Sequence, residues 1–181
     1  TLFADTRNGY ETLSENTKSY LNRFEAVCSL AHHDKKVNKY SPDYPTLTPY
    51  QRLKNPPNRV PLVLNHPITK RNALYGLNSS TCAIVEKGQK INQDRMDEFD
   101  LKGEEDKSVL ILKNLLPQLT SPKHTVCWQW EPGDIVVWDN RCTMHAGTGF
   151  DFKKYYREMW RLTLISDNYK NSEPLSMLDF H

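Results

Sequence analysis

Three basic side chains near the C-terminal end could do chemistry together: His145, Arg157 and Arg161. They fall in the stretch W-D-N-R-C-T-M-H-A-G-T-G-F-D-F-K-K-Y-Y-R-E-M-W-R-L-T, which runs from Trp138 to Thr163. Arg157 and Arg161 lie inside an aromatic, apolar run from Tyr155 to Ile165 that reads as a strand. Side chains alternate along a strand, so Arg157, Met159, Arg161 and Thr163 share one face. The two arginines would then stand about 13 Å apart at roughly 3.3 Å per residue. Charge turned toward an interior is costly without a partner. A guanidinium is suited to a carboxylate because its fork donates two parallel hydrogen bonds. One histidine and two inward arginines therefore imply a site for anionic, carboxylate-bearing ligands.

The positioning elements can be read from the same residues. Asp134-Ile135-Val136-Val137-Trp138 is a strand-like run. It turns through Asp139-Asn140-Arg141 and delivers His145 just ahead of the loop Gly147-Thr148-Gly149. Thr125 to Trp130 predicts the strand before it, with Glu131-Pro132-Gly133-Asp134 as the connecting turn. At the other end, Thr1 to Ala4 reads as the end of a strand. Ser14 is an N-cap, with Leu13 ahead of it as a staple residue, and the spacing of Leu21, Phe24, Val27 and Cys28 predicts a helix over Ser14–Ala31. His32-His33-Asp34 spells a metal-binding dyad, His-x-Asp, but beside Lys35 and Lys36 it reads as a solvated helix end.

The centre of the chain is scaffold. Tyr40 to Pro61 holds six of the eleven prolines and reads as a long irregular connection, a surface loop or, as the resemblance given below implies, part of a lid. Val60–Asn65 and Asn72–Leu77 read as strands joined by a turn in which His66, before a proline, is structural. Glu86 to Asp106 carries twelve charged residues in twenty-one and reads as a solvated loop. A helix is predicted at about Lys107–Leu116, with Pro117 ending or kinking its apolar run. Asn168 to His181 is a polar tail.

Composition narrows the classes further. The 181 residues suffice for a single domain, taken as 1–181, with one substantial core. A net charge of +2 gives no nucleic-acid footprint, and no run is long and apolar enough to span a bilayer, so a cytoplasmic protein is expected. Cys28, Cys82, Cys127 and Cys142 lack CxxC spacing and read as small buried hydrophobes rather than a disulfide or zinc set.

W-D-N-R-x-x-x-H followed by R-E-x-x-R-x-T resembles the C-terminal half of the taurine dioxygenase / 2,4-dichlorophenoxyacetate dioxygenase family. T-L-F-A-D-T-R-N-G-Y-E-T-L resembles that family's stretch after its first two metal ligands, and P-L-V-L-N-H-P-I-T-K-R-N-A-L-Y its central strand pair. The resemblance covers nearly the whole chain in the family's order. It implies a mainly β fold with flanking helices, a double-stranded β-helix (jelly roll) that is incomplete in this chain, because the family's His-x-Asp pair should lie upstream of Thr1. It implies an Fe(II)- and 2-oxoglutarate-dependent dioxygenase that uses O2, hydroxylates a small anionic sulfonate or carboxylate, and releases succinate and CO2. In that reading His145 is the metal ligand. Thr1 and Arg157 hold 2-oxoglutarate, and Arg161 binds the substrate's acidic group.

Two other readings stay open: a family member acting on a neutral heterocycle such as xanthine, which Arg161 disfavours, and a non-catalytic β-helix protein. Homo-oligomerisation is compatible with all three.

Overall fold

The computed structural model describes residues 1–90, 107–151 and 153–164. Among the described residues, thirteen elements follow one another. They are β1 (Leu2–Asp5), α1 (Thr6–Glu11), α2 (Glu15–Leu21), β2 (Phe24–Cys28), α3 (Leu30–Tyr40), α4 (Pro49–Lys54), β3 (Asn58–Pro61), β4 (Val63–Asn65), β5 (Asn72–Leu74), β6 (Thr81–Glu86), α5 (Lys107–Leu119), β7 (Thr125–Cys127) and β8 (Thr143–Ala146). The strands form three small sheets, ordered β7-β1-β8, β3-β2-β6 and β4-β5, and every pairing is antiparallel. The mainly β expectation with flanking helices holds at this level.

All of these elements belong to one compact unit, Thr1–Gly147; Thr148–His181 forms a second unit. In the first, Phe24, Leu62 and Leu119 have no exposed surface, and with Leu21, Leu74, Ile84, Ile111 and Leu115 they make the main core. Helix starts are set locally. Asp5 accepts the backbone amides of Arg7 and Asn8, Ser14 that of Thr17, and Ser29 that of His32. Thr48 and Gln51 close a reciprocal capping box at α4.

Several expectations need correction. The helix predicted over Ser14–Ala31 stops at Leu21, and Phe24–Cys28 is instead the central strand of its sheet. Phe24 and Ala26 face the main core, while Val27 turns the other way to join Cys82, Ala83 and Val85. A strand covered on both faces loses its period-two signature, so its apolar spacing passes for a helix.

His32 and Asp34 are not solvated. They are buried in α3, and the Asp34 carboxylate accepts the Leu47 amide at 2.9 Å, tying down the connection that follows. Two residues apart on a helix, they point to different sides and cannot serve one metal. The Tyr40–Pro61 connection contains α4 and the strand β3. α5 continues through Pro117 to Leu119, since a proline in the last turn costs a single amide donor. Most of the Glu86–Asp106 loop and the Asn168–His181 tail lie outside the described residues. Among the described residues, no helix is long and apolar enough to cross a membrane.

One backbone site is exacting. Gly76 has φ of 72°, and a Cβ there would stand 2.6 Å from Val60 Cγ2 and 2.8 Å from Ala26 Cβ. Its carbonyl accepts the Thr81 hydroxyl, which closes the turn into β6. Gly76→Ala combines a left-handed φ with a core clash, so it should lower stability by about 2–4 kcal/mol. A urea unfolding midpoint indistinguishable from wild type would refute this.

Candidate active site

β1 is the middle strand of its sheet, and alternation sorts its side chains between two faces. Ala4 is buried on the core side. Phe3 and Asp5 therefore look out from the opposite face, where the register sets Phe3 against His145 of β8 and Asp5 against Thr143. Val126 of β7 lies across from Phe3 on the other side. The ladder continues one residue beyond the strand: Thr1 nitrogen donates to the Trp128 carbonyl at 2.9 Å, and Trp128 N–H donates to the Thr1 carbonyl at 2.8 Å. Thr1 thus shares the face of Phe3 and His145. Its hydroxyl accepts the Trp130 indole N–H at 2.8 Å.

Of the residues singled out from the sequence, Thr1 and His145 are brought to one surface. His145, the metal ligand that the resemblance implies, has its ring exposed on the sheet face. It is flanked by Trp138, with centroids 5.0 Å apart, and Trp138 in turn packs 5.2 Å from the Phe3 ring. A hollow beside them is lined by Phe3, Asp5, Arg7, His124, Val136 and Trp138. Asp5 stays ionised within it. Burial works against the charge, but hydrogen bonds from the Arg7 side chain and the Asn8 and Arg7 amides outweigh that and hold its carboxyl below the usual range. The Asp134–Trp138 run is not a strand: Ile135 and Val137 are exposed, and Asp134 instead closes the expected turn by accepting Trp128 Nε1–H and the Glu131 amide.

The turn that introduces β8 is anchored more tightly than the sequence indicated. Asp139 accepts the Arg141 guanidinium at 2.8 Å and 2.6 Å and the Arg141 amide at 2.9 Å. Hydrogen bonding from Arg141 holds the Asp139 carboxyl far below the ordinary carboxylate range, against the opposing effect of burial, and His66 adds to it. His66 Nε2 lies 3.0 Å from Asp139 Oδ2 across 73 residues of chain. The ring's other nitrogen, Nδ1, accepts the amides of Ile68 and Thr69 at 3.3 and 3.1 Å, so the neutral ring carries its proton on Nε2 and donates it to Asp139.

The metal-binding atoms of His66, Asp139 and Cys142 lie within 4.8 Å of one another. They nevertheless suit a metal poorly. A ligating Nε2 would have to give up its proton and leave Nδ1–H facing two amide donors. Arg141 already occupies both carboxylate oxygens, and burial raises the Cys142 thiol above its ordinary range, against formation of the thiolate a metal needs. The structural reading of His66 stands. What the sequence missed is its partner: an Asx-type turn at Asp139 was legible, but nothing local in a chain points across 73 residues.

Arg157 and Arg161 belong to the second unit. Among the described residues there, Tyr155–Leu164 forms no strand and is exposed, which departs from the inward-facing strand expected. An extended run becomes a strand only when a neighbouring strand satisfies its amides and carbonyls, and among the described residues no strand pairs with it. Arg157 lies over the Phe150 ring at 5.7 Å and donates to the Met159 sulfur at 2.8 Å.

The sheets and helices match those of solved structures. A structure described as AAD-2 in complex with Mn(II) and N-oxalylglycine superposes with a TM-score of 0.57 at 25% identity, over 78% of this chain and 47% of that one. A taurine dioxygenase from Burkholderia xenovorans shares the fold with a TM-score of 0.51 at 23% identity, over 78% of this chain and 38% of that one. The family model for "Taurine catabolism dioxygenase TauD, TfdA family" matches residues 1–163, and the chain belongs to that family. Its relatives include an alkylsulfatase from Acinetobacter baylyi, 29% identical over 92% of this chain and 48% of the relative. An alpha-ketoglutarate-dependent 2,4-dichlorophenoxyacetate dioxygenase from Burkholderia sp. is 30% identical over 91% and 48%. An alpha-ketoglutarate-dependent sulfonate dioxygenase from Saccharomyces cerevisiae is 27% identical over 90% and 34%. The chain spans about half the length of the first two of these relatives.

Proposed function

We propose that the intact protein is an Fe(II)- and 2-oxoglutarate-dependent dioxygenase that hydroxylates a small anionic sulfonate or carboxylate. The reaction joins 2-oxoglutarate, O2 and the substrate C–H to give succinate, CO2 and the hydroxylated product. Family membership across residues 1–163 carries the reading, and the Thr1–His145 face supports it. Relatives named for a sulfonate, an alkylsulfate activity and a phenoxyacetate all point to acidic small molecules.

The residues present fit the group that such chemistry needs. An imidazole and a hydroxyl share one sheet face, with Phe3 and Trp138 as an apolar wall beside the imidazole. His145 is one histidine of a two-histidine, one-carboxylate set, and the other two ligands lie in the part of the intact protein that corresponds to the unspanned half of the relatives. When bound there, iron activates O2 for hydroxylation. The chain's own residues bind and orient. Thr1 Oγ, held by Trp130, is placed to meet the cosubstrate's carboxylate. Arg157 offers a bidentate fork for its distal carboxylate, and Arg161 pairs with the substrate's acidic group.

Supplied with Fe(II) and 2-oxoglutarate, the full-length protein should release succinate faster with some member of a panel of alkyl sulfonates, alkyl sulfates and aryloxyalkanoates than without it, and yield the hydroxylated product. Stimulation by xanthine alone would refute the anionic-substrate reading, and no 2-oxoglutarate turnover with any compound would favour a non-catalytic protein.

A further inference from the structure

We infer that His66 is a positioning residue for His145, acting through Asp139 and Trp138. The inference rests on the reading of His145 as a metal ligand. His66 sits in the turn between β4 and β5, far from β8 in the chain, and is 3% exposed. Its two ring nitrogens do separate work. Nδ1 closes its own turn by accepting the Ile68 and Thr69 amides, and this obliges Nε2 to present its proton to Asp139 at 3.0 Å. Asp139 is the hinge of the segment that precedes β8. Its carbonyl accepts the Cys142 amide at 3.2 Å, and the Cys142 carbonyl accepts the Thr6 amide at 3.0 Å, so the entry to β8 is locked onto the start of α1.

Trp138, the residue before Asp139, lays its ring 5.0 Å from the His145 imidazole at an angle of 57° and 5.2 Å from Phe3. The imidazole is thereby confined on the Trp138 side by a residue whose backbone is fixed through Asp139. Arg141 alone cannot supply that fix. It is two residues from Asp139, so their ion pair moves with the turn, whereas His66 ties the turn to a different sheet. Loss of the Nε2–Asp139 bond should free the turn and Trp138, and the ring of His145 with them. A ligand that must be ordered at the moment of binding holds its metal less tightly, and outer partners of ligating histidines typically change metal affinity by about ten- to a hundredfold.

Two substitutions separate the two nitrogens. In His66→Asn the side-chain oxygen takes the place of Nδ1 and keeps the turn, but the donor to Asp139 is gone. In His66→Gln the side-chain amide reaches the position of Nε2 and keeps that donor, while the turn loses its acceptor. Mn(II) binding to the full-length protein, followed by the electron paramagnetic resonance signal of the free ion, is the readout, with thermal melting alongside. His66→Asn should weaken Mn(II) binding about tenfold, at the lower end of that range, and His66→Gln should stay within about threefold of wild type. The reverse order, or equal losses, would mean that His66 merely shapes its own turn and would overturn the inference. Should His66→Asn not fold, Asp139→Asn takes its place: weakened binding in the folded protein supports the linkage and unchanged binding defeats it. His145→Ala is the control. If it leaves Mn(II) binding intact, the ligand reading fails; if it abolishes binding while His66→Asn does not change it, only the positioning role fails.

Discussion

His145→Ala should abolish Fe(II)-dependent 2-oxoglutarate turnover by the full-length protein while leaving its melting temperature nearly unchanged. The side chain is exposed on the sheet face and contributes to no core cluster, so its removal leaves no buried cavity. Its loss should instead be felt in chemistry, because a set of three protein ligands that loses one no longer holds the metal in a facial arrangement. His32→Ala should do the opposite. His32 is 4% exposed within α3, and truncating a buried ring should cost on the order of 1–3 kcal/mol of stability. Turnover below the lowered melting temperature should stay near wild type. Steady-state 2-oxoglutarate consumption, set beside thermal melts for both variants, distinguishes the roles. A folded His32→Ala protein without activity, beside an active His145→Ala, would show that the ligand has been misassigned.

This contrast also marks what the sequence could and could not convey. His32-x-Asp34 and His145 look alike as letters, and the two lysines beside the dyad mark it, on sequence alone, as a solvated helix end. Lys35 and Lys36 are indeed exposed, but on a helix their exposure says nothing of residues on the other side. Asp34 turned inward because an amide 13 residues later, at Leu47, needed an acceptor. Such pairings are set by tertiary packing and leave no local trace. The helix over-extended from Leu21 into Phe24–Cys28 fails for a related reason: burial on two faces erases the alternation that would have revealed a strand.

Local chemistry is more legible. Ser14 caps α2 as its side chain and position required, Leu13 is buried ahead of it, and Glu131–Asp134 closes the expected turn with Gly133 at φ of 93°. The strand at the start of the chain and the one that opens at Thr125 were also legible, but β8, whose pairing with β1 places Thr1 and His145 on one face, was not. That juxtaposition joins residues almost the length of the unit apart. It came from the family resemblance rather than from either strand's own pattern, since a strand of four residues carries its faces but not the identity of its neighbours.

The two arginines should separate in their kinetics. Arg157→Lys keeps the positive charge and loses the planar fork, so a carboxylate held by two parallel bonds would be held by one. The lost charge-assisted hydrogen bond is worth about 1.5–3 kcal/mol, which should raise the apparent KM for 2-oxoglutarate roughly ten- to a hundredfold. Arg161→Ala should raise the KM for the anionic substrate by a comparable factor and leave that for 2-oxoglutarate largely intact, with part of the 2-oxoglutarate consumption uncoupled from hydroxylation. Separate roles assume the strand spacing of about 13 Å expected from the sequence; among the described residues Tyr155–Leu164 forms no strand. Arg157 lies over Phe150 and against Met159, contacts that a lysine could reproduce only in part, so a stability change in Arg157→Lys must be measured beside the constants. Both Michaelis constants for both full-length variants decide the assignment. If Arg161→Ala changes only the constant for 2-oxoglutarate, the roles are exchanged. If neither constant moves while both variants melt lower, the arginines are structural and the preference for an acidic substrate loses its residue.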